Sequence, residues 1–351
     1  MAVTRNDVAK HCNVSHTTVS NVLNNVPNKV SEEVKRKVLR GVRKLGYVPD
    51  EAARRLRMTG NKSRRKSLEG GHAGFIISEA AEGGFTNGYY AKLLNGILGE
   101  CAGQNIRLLV DILKDDFRGG GELPGIMNSW SLDAMILPGS LPAEFMDYVV
   151  GKEIPMVQVG DERTDLTYID SVSGQDFAGA SMAVRHLIEK GHRSIAMING
   201  PMAISSVGER YRGYRASLEA AGIPFDEKLV IPAHLGYQSG FKAGRVIAEL
   251  GGKVTAVFAA NDICAVGAMA GMEQSGLNIP GDISIIGYDN IELSAGVVPP
   301  LTTVEPNIDE MGRLAVRRLV ERVRSGKESV PVHMKLPAHL VERGTVAPPQ
   351  R

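Results

Sequence analysis

The stretch VSHTTVSNVLNN, residues 14–25 of a 351-residue chain, decides how the whole sequence is read. Ser15 is a strong helix N-cap, and Val19, Val22 and Leu23 recur at i, i+3 and i+4, so a short helix with one narrow apolar face is expected. Its other face carries His16, Thr17, Ser20, Asn21 and Asn24. A helix face turned to water usually mixes Glu with Lys. Small hydrogen-bonding side chains with no acid among them suit the floor of a DNA groove instead. Upstream, Thr4 and Asp7 read as a capping box, Val8, Ala9 and Cys12 share one face, and Asn13 tolerates the left-handed turn that joins the two helices. Downstream, a third helix starts at Ser31, with Val34, Val38, Val42 and Leu45 on one face, Lys35, Arg36, Arg40, Arg43 and Lys44 on the other, and Gly46 at its end.

The chain carries a formal charge of only +2, but residues 1–66 hold 16 Lys/Arg against 5 Asp/Glu, a net +11 on a body of −9. Concentrated basic charge is the footprint of a polyanion-binding module, and a merely solubilising tail would not also show caps and apolar periodicity. Within this segment, after the third helix, DEAARRLRM (residues 50–58) predicts a short basic helix, too short to stand alone in water. The polar, Gly-rich TGNKSRRKSLEGG (residues 59–71) predicts a flexible linker.

These residues carry a resemblance. TRNDVAKHCNVSHTTVSNVLN (residues 4–24) and KLGYVPDEAARRL (residues 44–56) resemble the DNA-binding headpiece of the LacI/GalR family of bacterial transcription regulators, with Cys12-Asn13 where the family usually has Ala-Gly and with a longer linker. The resemblance implies that the second helix enters the major groove, with His16, Thr17 and Asn21 at base edges, Ser15 and Ser20 at phosphates, and Thr4, Thr18 and Asn24 completing the contact set. Asn can bond adenine bidentately and Thr can meet a thymine methyl, which agrees with those roles. It also implies a hinge helix in the minor groove, where Leu56, flanked by Ala53 and Arg57, wedges into a base step at the centre of a palindrome.

Beyond residue 72 short apolar runs alternate with helical segments: AGFIIS (73–78), IRLLVD (106–111), DAMILP (133–138), PMVQVG (155–160), SIAMING (194–200), TAVFAAND (255–262) and ISIIGYDN (283–290), with helices such as YYAKLLNGILGECAG between them. Strand, helix, strand at this rhythm predicts an α/β fold of doubly wound parallel sheets, which bind ligands beyond the carboxyl ends of their strands. The family resemblance continues here and implies a periplasmic-binding-protein-like body of two subdomains around a cleft. The expected organisation is a helix-turn-helix headpiece at 1–48, a hinge helix at 49–58, a basic linker at 59–72 and an effector and dimerisation domain at 73–345. Its subdomains would be 73–162 plus 293–324 and 163–290 plus 328–345, crossing near 161–165, 289–293 and 325–328. The resemblance carries effector-binding roles onto Arg210 in GERYRGY, Asn261 and Asp262 in NDICAVGAM, Asp289 in GYDN, Tyr89 and Tyr90 in NGYYAKLLNGI, and Ser78 and Asp161. By position alone, Asn261 and Asp289 equally suit turn or helix caps, and Arg210 a surface ion pair. Where relatives often carry Asp-Asn before a helix, this chain has Gly174-Gln175.

The remaining classes find little support. GxSxG, P-loop, GxGxxG after a strand and HExxH are all missing from the sequence, so neither an enzyme nor a cofactor or metal protein is expected. Three scattered cysteines, Cys12, Cys101 and Cys264, fit reduced buried thiols. No apolar run approaches the roughly 18 residues of a membrane span, and the N-terminus lacks a signal-peptide pattern, which argues against a secreted carrier of the same body fold and for the cytoplasm. The expectation is a homodimeric repressor that binds double-stranded DNA at a palindromic operator under the control of a small polar, sugar-like effector.

Overall fold

Helix caps and valines build the N-terminal unit. A computed structural model describes residues 4–23, 30–45, 67–81, 83–114, 117, 123–129, 132–138, 140–163, 165–326 and 329–350, and the chain divides into two compact units, Met1–Arg64 and Arg65–Arg351. In the first, α1 (Arg5–His11), α2 (His16–Leu23) and α3 (Glu32–Leu45) pack around buried Val8, Cys12, Val19, Val22 and Val38. The Thr4–Asp7 capping box forms, and Asn13 adopts φ 46° in the turn, a conformation that glycine and asparagine reach most easily. Gly41 of α3 faces Cys12, where even a Cβ would collide with the thiol sulfur, so α1 and α3 approach closely. Asn24, Gly46, the hinge segment with Ala53, Leu56 and Arg57, and residues 59–66 of the linker lie outside the described residues.

The second unit holds two parallel sheets. The first contains β1 (His72–Ser78), β2 (Arg107–Leu113), β3 (Ala134–Pro138), β4 (Met156–Val159), β5 (Asp170–Gly174) and β11 (His333–Leu336), in the order β11-β5-β4-β3-β1-β2. The second contains β6 (Ile195–Asn199), β7 (Val230–Pro232), β8 (Ala256–Ala259) and β9 (Ser284–Ile286), in the order β7-β6-β8-β9. A two-stranded antiparallel ribbon joins β10 (Thr303–Glu305) to β12 (His339–Val341). The helices α4 (Gly88–Gly103), α5 (Gly125–Ser129), α6 (Ala143–Gly151), α7 (Asp176–Glu189), α8 (Ser205–Ala220), α9 (Tyr237–Glu249), α10 (Asp262–Gln274), α11 (Glu292–Gly296) and α12 (Ile308–Ser325) flank them. Each sheet has an apolar cluster on both faces, which is why β1, β3, β6 and β8 read as continuous apolar runs rather than alternating ones.

Two expectations need correction. Residues 67–72 belong to the body and not to a linker: Leu68 is fully buried in the first core cluster, Gly70 N–H donates to the Asn105 carbonyl, and the first strand starts at His72. The subdomain crossings also lie later than expected. β5 pairs with β4 and β11 in the first sheet, and Leu166 and Ile169 sit in its core, so the chain first crosses at 174–176 and not at 161–165. Val304 packs in the core of the second sheet, and α12 then packs against α4, which moves the second crossing from 289–293 to 305–308. β11 belongs to the first sheet while Leu340 packs against the core of the second, which moves the third from 325–328 to 336–339. The cause is β5, DSVSG, which hydrophobicity cannot find. All five residues are buried, but Asp170 pairs with Arg322 and Arg318, and Ser171 and Ser173 donate to Glu162, so burial costs no unmet hydrogen bonds on these side chains.

Candidate functional site

Helix α2 is built to show one face. Val19 and Val22 are buried, while His16 and Thr17 are exposed and Ser20 and Asn21 half-buried on the opposite arc. Ser15 caps the helix, its Oγ accepting from Thr18 N–H at 3.0 Å and lying 2.8 Å from Thr18 Oγ1. Thr4 Oγ1 is held within the capping box by Asp7. Three of the proposed DNA contacts, Thr4, Ser15 and Thr18, are therefore also fixtures of the helix ends, and His16, Thr17, Ser20 and Asn21 form the projecting set. Such caps fix the start of the helix and with it the direction in which the projecting side chains point.

In the body, a cavity of about 370 Å³ opens where the strands of both sheets end. Seven of the eight expected effector residues line it: Ser78, Tyr89, Tyr90, Asp161, Arg210, Asn261 and Asp289. Asp262 does not. It is wholly buried behind the cavity, accepting from Thr303 Oγ1 at 2.5 Å and from Ile291 N–H at 2.9 Å, and so ties α10 to the loop after β9. Neighbouring Asn261 both lines the cavity and caps α10, accepting from Cys264 N–H at 2.9 Å and donating to the Leu235 carbonyl.

Arg210, on α8, is the hub. Its Nε donates to Asp176 Oδ1 at 2.9 Å and its Nη1 to the Ala260 carbonyl at 2.6 Å, while Nη2 faces Asp289 Oδ1 at 3.5 Å and the guanidinium lies 3.7 Å from the Tyr288 ring centroid. Burial works against its charge, but Asp176 and then Asp289 outweigh burial and hold it charged. Burial pushes the Asp289 carboxyl up to about 7 despite the opposing pull of Arg210, and raises Asp176 as well. Burial also raises Tyr89 well above its ordinary value and Tyr90 to about 12, so both hydroxyls stay protonated. The two rings meet edge to face with centroids 5.3 Å apart. Asp161, at the end of the strand that precedes it, accepts from Ser206 N–H at 3.0 Å across the cleft, and Glu162 N–H donates to Ser205 Oγ at 3.0 Å. The first subdomain thus caps the start of α8 in the second.

Two family models match this chain: that of bacterial regulatory proteins of the lacI family over residues 4–50, and that of the periplasmic binding protein-like domain over residues 184–346. The HTH-type transcriptional repressor PurR of Photorhabdus laumondii subsp. laumondii is 31% identical over 350 residues, which span 97% of this chain and 96% of that one. The chain belongs to the LacI family. Among solved structures, the lac repressor dimer bound to operator and the anti-inducer ONPF superposes with a TM-score of 0.76 at 26% identity, over 99% of this chain and 100% of that one. The transcriptional regulator CelR in complex with cellobiose superposes at 0.72 and 28%, over 98% and 100%.

As a LacI-family DNA-binding repressor the protein is not an enzyme. Sequence reasoning missed Asp176, Asn87, Ser140, Ser206 and His234, which also line the cavity. Asp176 could have been found: the carboxylate sought at Gly174-Gln175 stands one residue later, opening α7. Ser140 and His234 follow β3 and β7, and only the sheet order brings those strand ends to the cleft. The three cysteines are free and buried, and among the described residues no helix is long and apolar enough to cross a membrane.

Proposed function

We propose that this repressor acts in the cytoplasm as a homodimer on a palindromic operator, and that a small polar, sugar-like effector in the cleft sets its affinity for DNA. The observation that carries this reading is the convergence of Arg210, Asp161, Asp289, Asn261, Tyr89, Tyr90 and Ser78 on one cavity of about 370 Å³, a size suited to a small metabolite. Its mixture of donors, acceptors and two aromatic edges matches a polyhydroxyl ligand, and the structural relative CelR holds a sugar, cellobiose. His16, Thr17 and Asn21 read base edges, Ser15 and Ser20 touch phosphate, Thr4, Thr18 and Asn24 complete the DNA contacts, and Leu56, between Ala53 and Arg57, wedges into the minor groove. Dimerisation follows because one headpiece reads too few base pairs for genomic specificity. An effector acts through whichever subdomain arrangement it binds better, which fixes whether DNA is released or gripped.

Selection of binding sites from random DNA with the purified full chain, followed by a salt titration, tests the first half. A palindrome with steep salt dependence is expected, and no enriched sequence would refute operator binding by this chain alone. Leu56→Ala should lower specific affinity about tenfold or more while leaving most non-specific binding, and an unchanged specificity ratio would remove the wedge.

A further inference from the structure

The wall around Arg210 sets the charge that a ligand in the cleft can carry. Asp161, Asp176 and Asp289 line the cavity with Arg210 as the one Lys or Arg side chain among the described lining residues. That cation is already committed: Nε faces Asp176, Nη1 the Ala260 carbonyl and Nη2 Asp289, and its face lies on Tyr288. An anionic group entering here meets three acids and a guanidinium whose three nitrogens are each turned to a protein acceptor. Lys92 is not among the lining residues, and its ammonium donates to the Asp289 and Asn290 carbonyls and to Glu305.

Asp289 is 96% buried, being 4% exposed, yet its Oδ1 accepts no hydrogen bond among the described residues; Arg210 Nη2 lies 3.5 Å away, an ion pair without hydrogen-bond geometry. A buried carboxylate oxygen with no donor is costly, and the cavity it borders is where a donor can arrive. What that oxygen lacks is a ligand hydroxyl or amine. A phosphate or carboxylate cannot supply it and adds like charge in a site where burial already presses Asp289 toward its neutral form.

We infer that the cleft selects by charge, taking an uncharged or amine-bearing hydroxyl-rich effector and rejecting phosphorylated or carboxylated molecules. The inference rests on the cleft being an effector site and adds the ligand's charge class to it. The discrimination is a matter of negative selection: the acids cost a neutral ligand little because hydroxyls donate to them, and repel an anion in a partly desolvated cavity.

A small-molecule extract of bacterial cells, separated on ion exchangers into uncharged, cation-exchanger-retained and anion-exchanger-retained fractions, supplies the probes. Each fraction is added to the full chain, and two quantities are read: the melting temperature of the body and the affinity for the selected operator. The uncharged or the cation-exchanger-retained fraction is expected to raise the melting temperature by several degrees and to change operator affinity about tenfold, within the usual range of such coupling. Activity in the anion-exchanger-retained fraction, alone or in addition, would overturn charge selection while leaving the effector reading intact. If no fraction acts on either readout, the effector reading itself falls and the charge inference falls with it.

Discussion

Asp289 shows how one residue can be aimed by its surroundings. Its backbone sits at φ 105°, a region that side chains other than glycine rarely occupy. The strain is held in place from both sides, its N–H donating to the Val304 carbonyl at 2.8 Å and its carbonyl accepting from Lys92. The carboxylate is thereby fixed at the cavity wall, where burial pushes it up to about 7. An unfolded Asp titrates near about 3.9. Between that pH and about 7 the folded chain therefore holds a proton that the unfolded chain has lost, and the stabilisation it brings falls as pH rises through the window and is constant above it. The measurement is the difference in urea-unfolding free energy between wild type and Asp289→Asn, taken without effector from pH 4 to 8. It is expected to fall toward neutrality and then level. Buried His186 and His192, with lowered pKa values, slope the other way, but they cancel in the difference. A flat difference would mean that Asp289 is ionised throughout. Asp176 and Asp161 show the limit of reading single residues: neither carboxylate's partner, Arg210 or Ser206, is near it in sequence.

At the scale of elements, close backbone approach governs the second subdomain. Gly240 and Gly244 of α9 face the carbonyls of Cys264 and Ala268, and Gly267 and Gly271 of α10 face those of Tyr237 and Phe241, each so near that a Cβ would overlap the oxygen. Four glycines spaced four apart on two helices make the flat surfaces that let α9 and α10 pack backbone to backbone. Gly244→Ala should therefore destabilise the body by about 2 kcal/mol or more, since neither helix can yield without moving the other. Gly99 of α4 has nothing among the described residues within 4 Å of its ideal Cβ, so Gly99→Ala should stabilise by about 0.5–1 kcal/mol. Denaturant unfolding of the two variants checks both signs, and a neutral Gly244→Ala would show that the helices separate freely. The apolar periodicity of α4, α7 and the three headpiece helices was visible in sequence. This packing was not, because a glycine in a helical run looks the same whether it faces water or a carbonyl. The start of helix α8 is hidden in the sequence for a related reason: SSVGERYR is polar, and its first turn is capped by the Asp161 carboxylate on the other subdomain, which accepts from Ser206 N–H.

Across the whole body, the two subdomains are joined by three crossings and by polar contacts that bridge the cleft. Lys92 on α4 of the first subdomain donates to Glu305 Oε2 at 2.5 Å, beside the second crossing, and to the Asp289 and Asn290 carbonyls. Glu305 Oε1 in turn accepts from Asn307 N–H at 2.8 Å, where the chain passes back to the first subdomain. The half-buried pair thus ties the helix that bears Tyr89 and Tyr90 to the loop that bears Asp289. Reversing either charge, Lys92→Glu or Glu305→Lys, should destabilise the body, and combining both should restore part of the loss, with a coupling of about 1 kcal/mol or more in a four-chain unfolding cycle. Zero coupling would remove the pair from the support of the cleft.

The sequence by itself determined the two-part architecture, the helix-turn-helix with its caps and the parallel α/β body, and the family resemblance named eight residues for the cleft, seven of which line the cavity. Those features are legible because they rest on contiguous chemistry: a cap and its helix, a run of buried strand residues, a motif after a strand end. Only the tertiary structure decided that Asp262 turns from the cleft to Thr303, that Asp176, Ser140 and His234 enter it, and that the subdomains exchange chain at 174–176, 305–308 and 336–339. The physical reason is that each depends on partners supplied from far along the chain. Asp170 can sit wholly buried in a polar strand because Arg322 arrives from 152 residues away to pair with it, and no local pattern records that arrival.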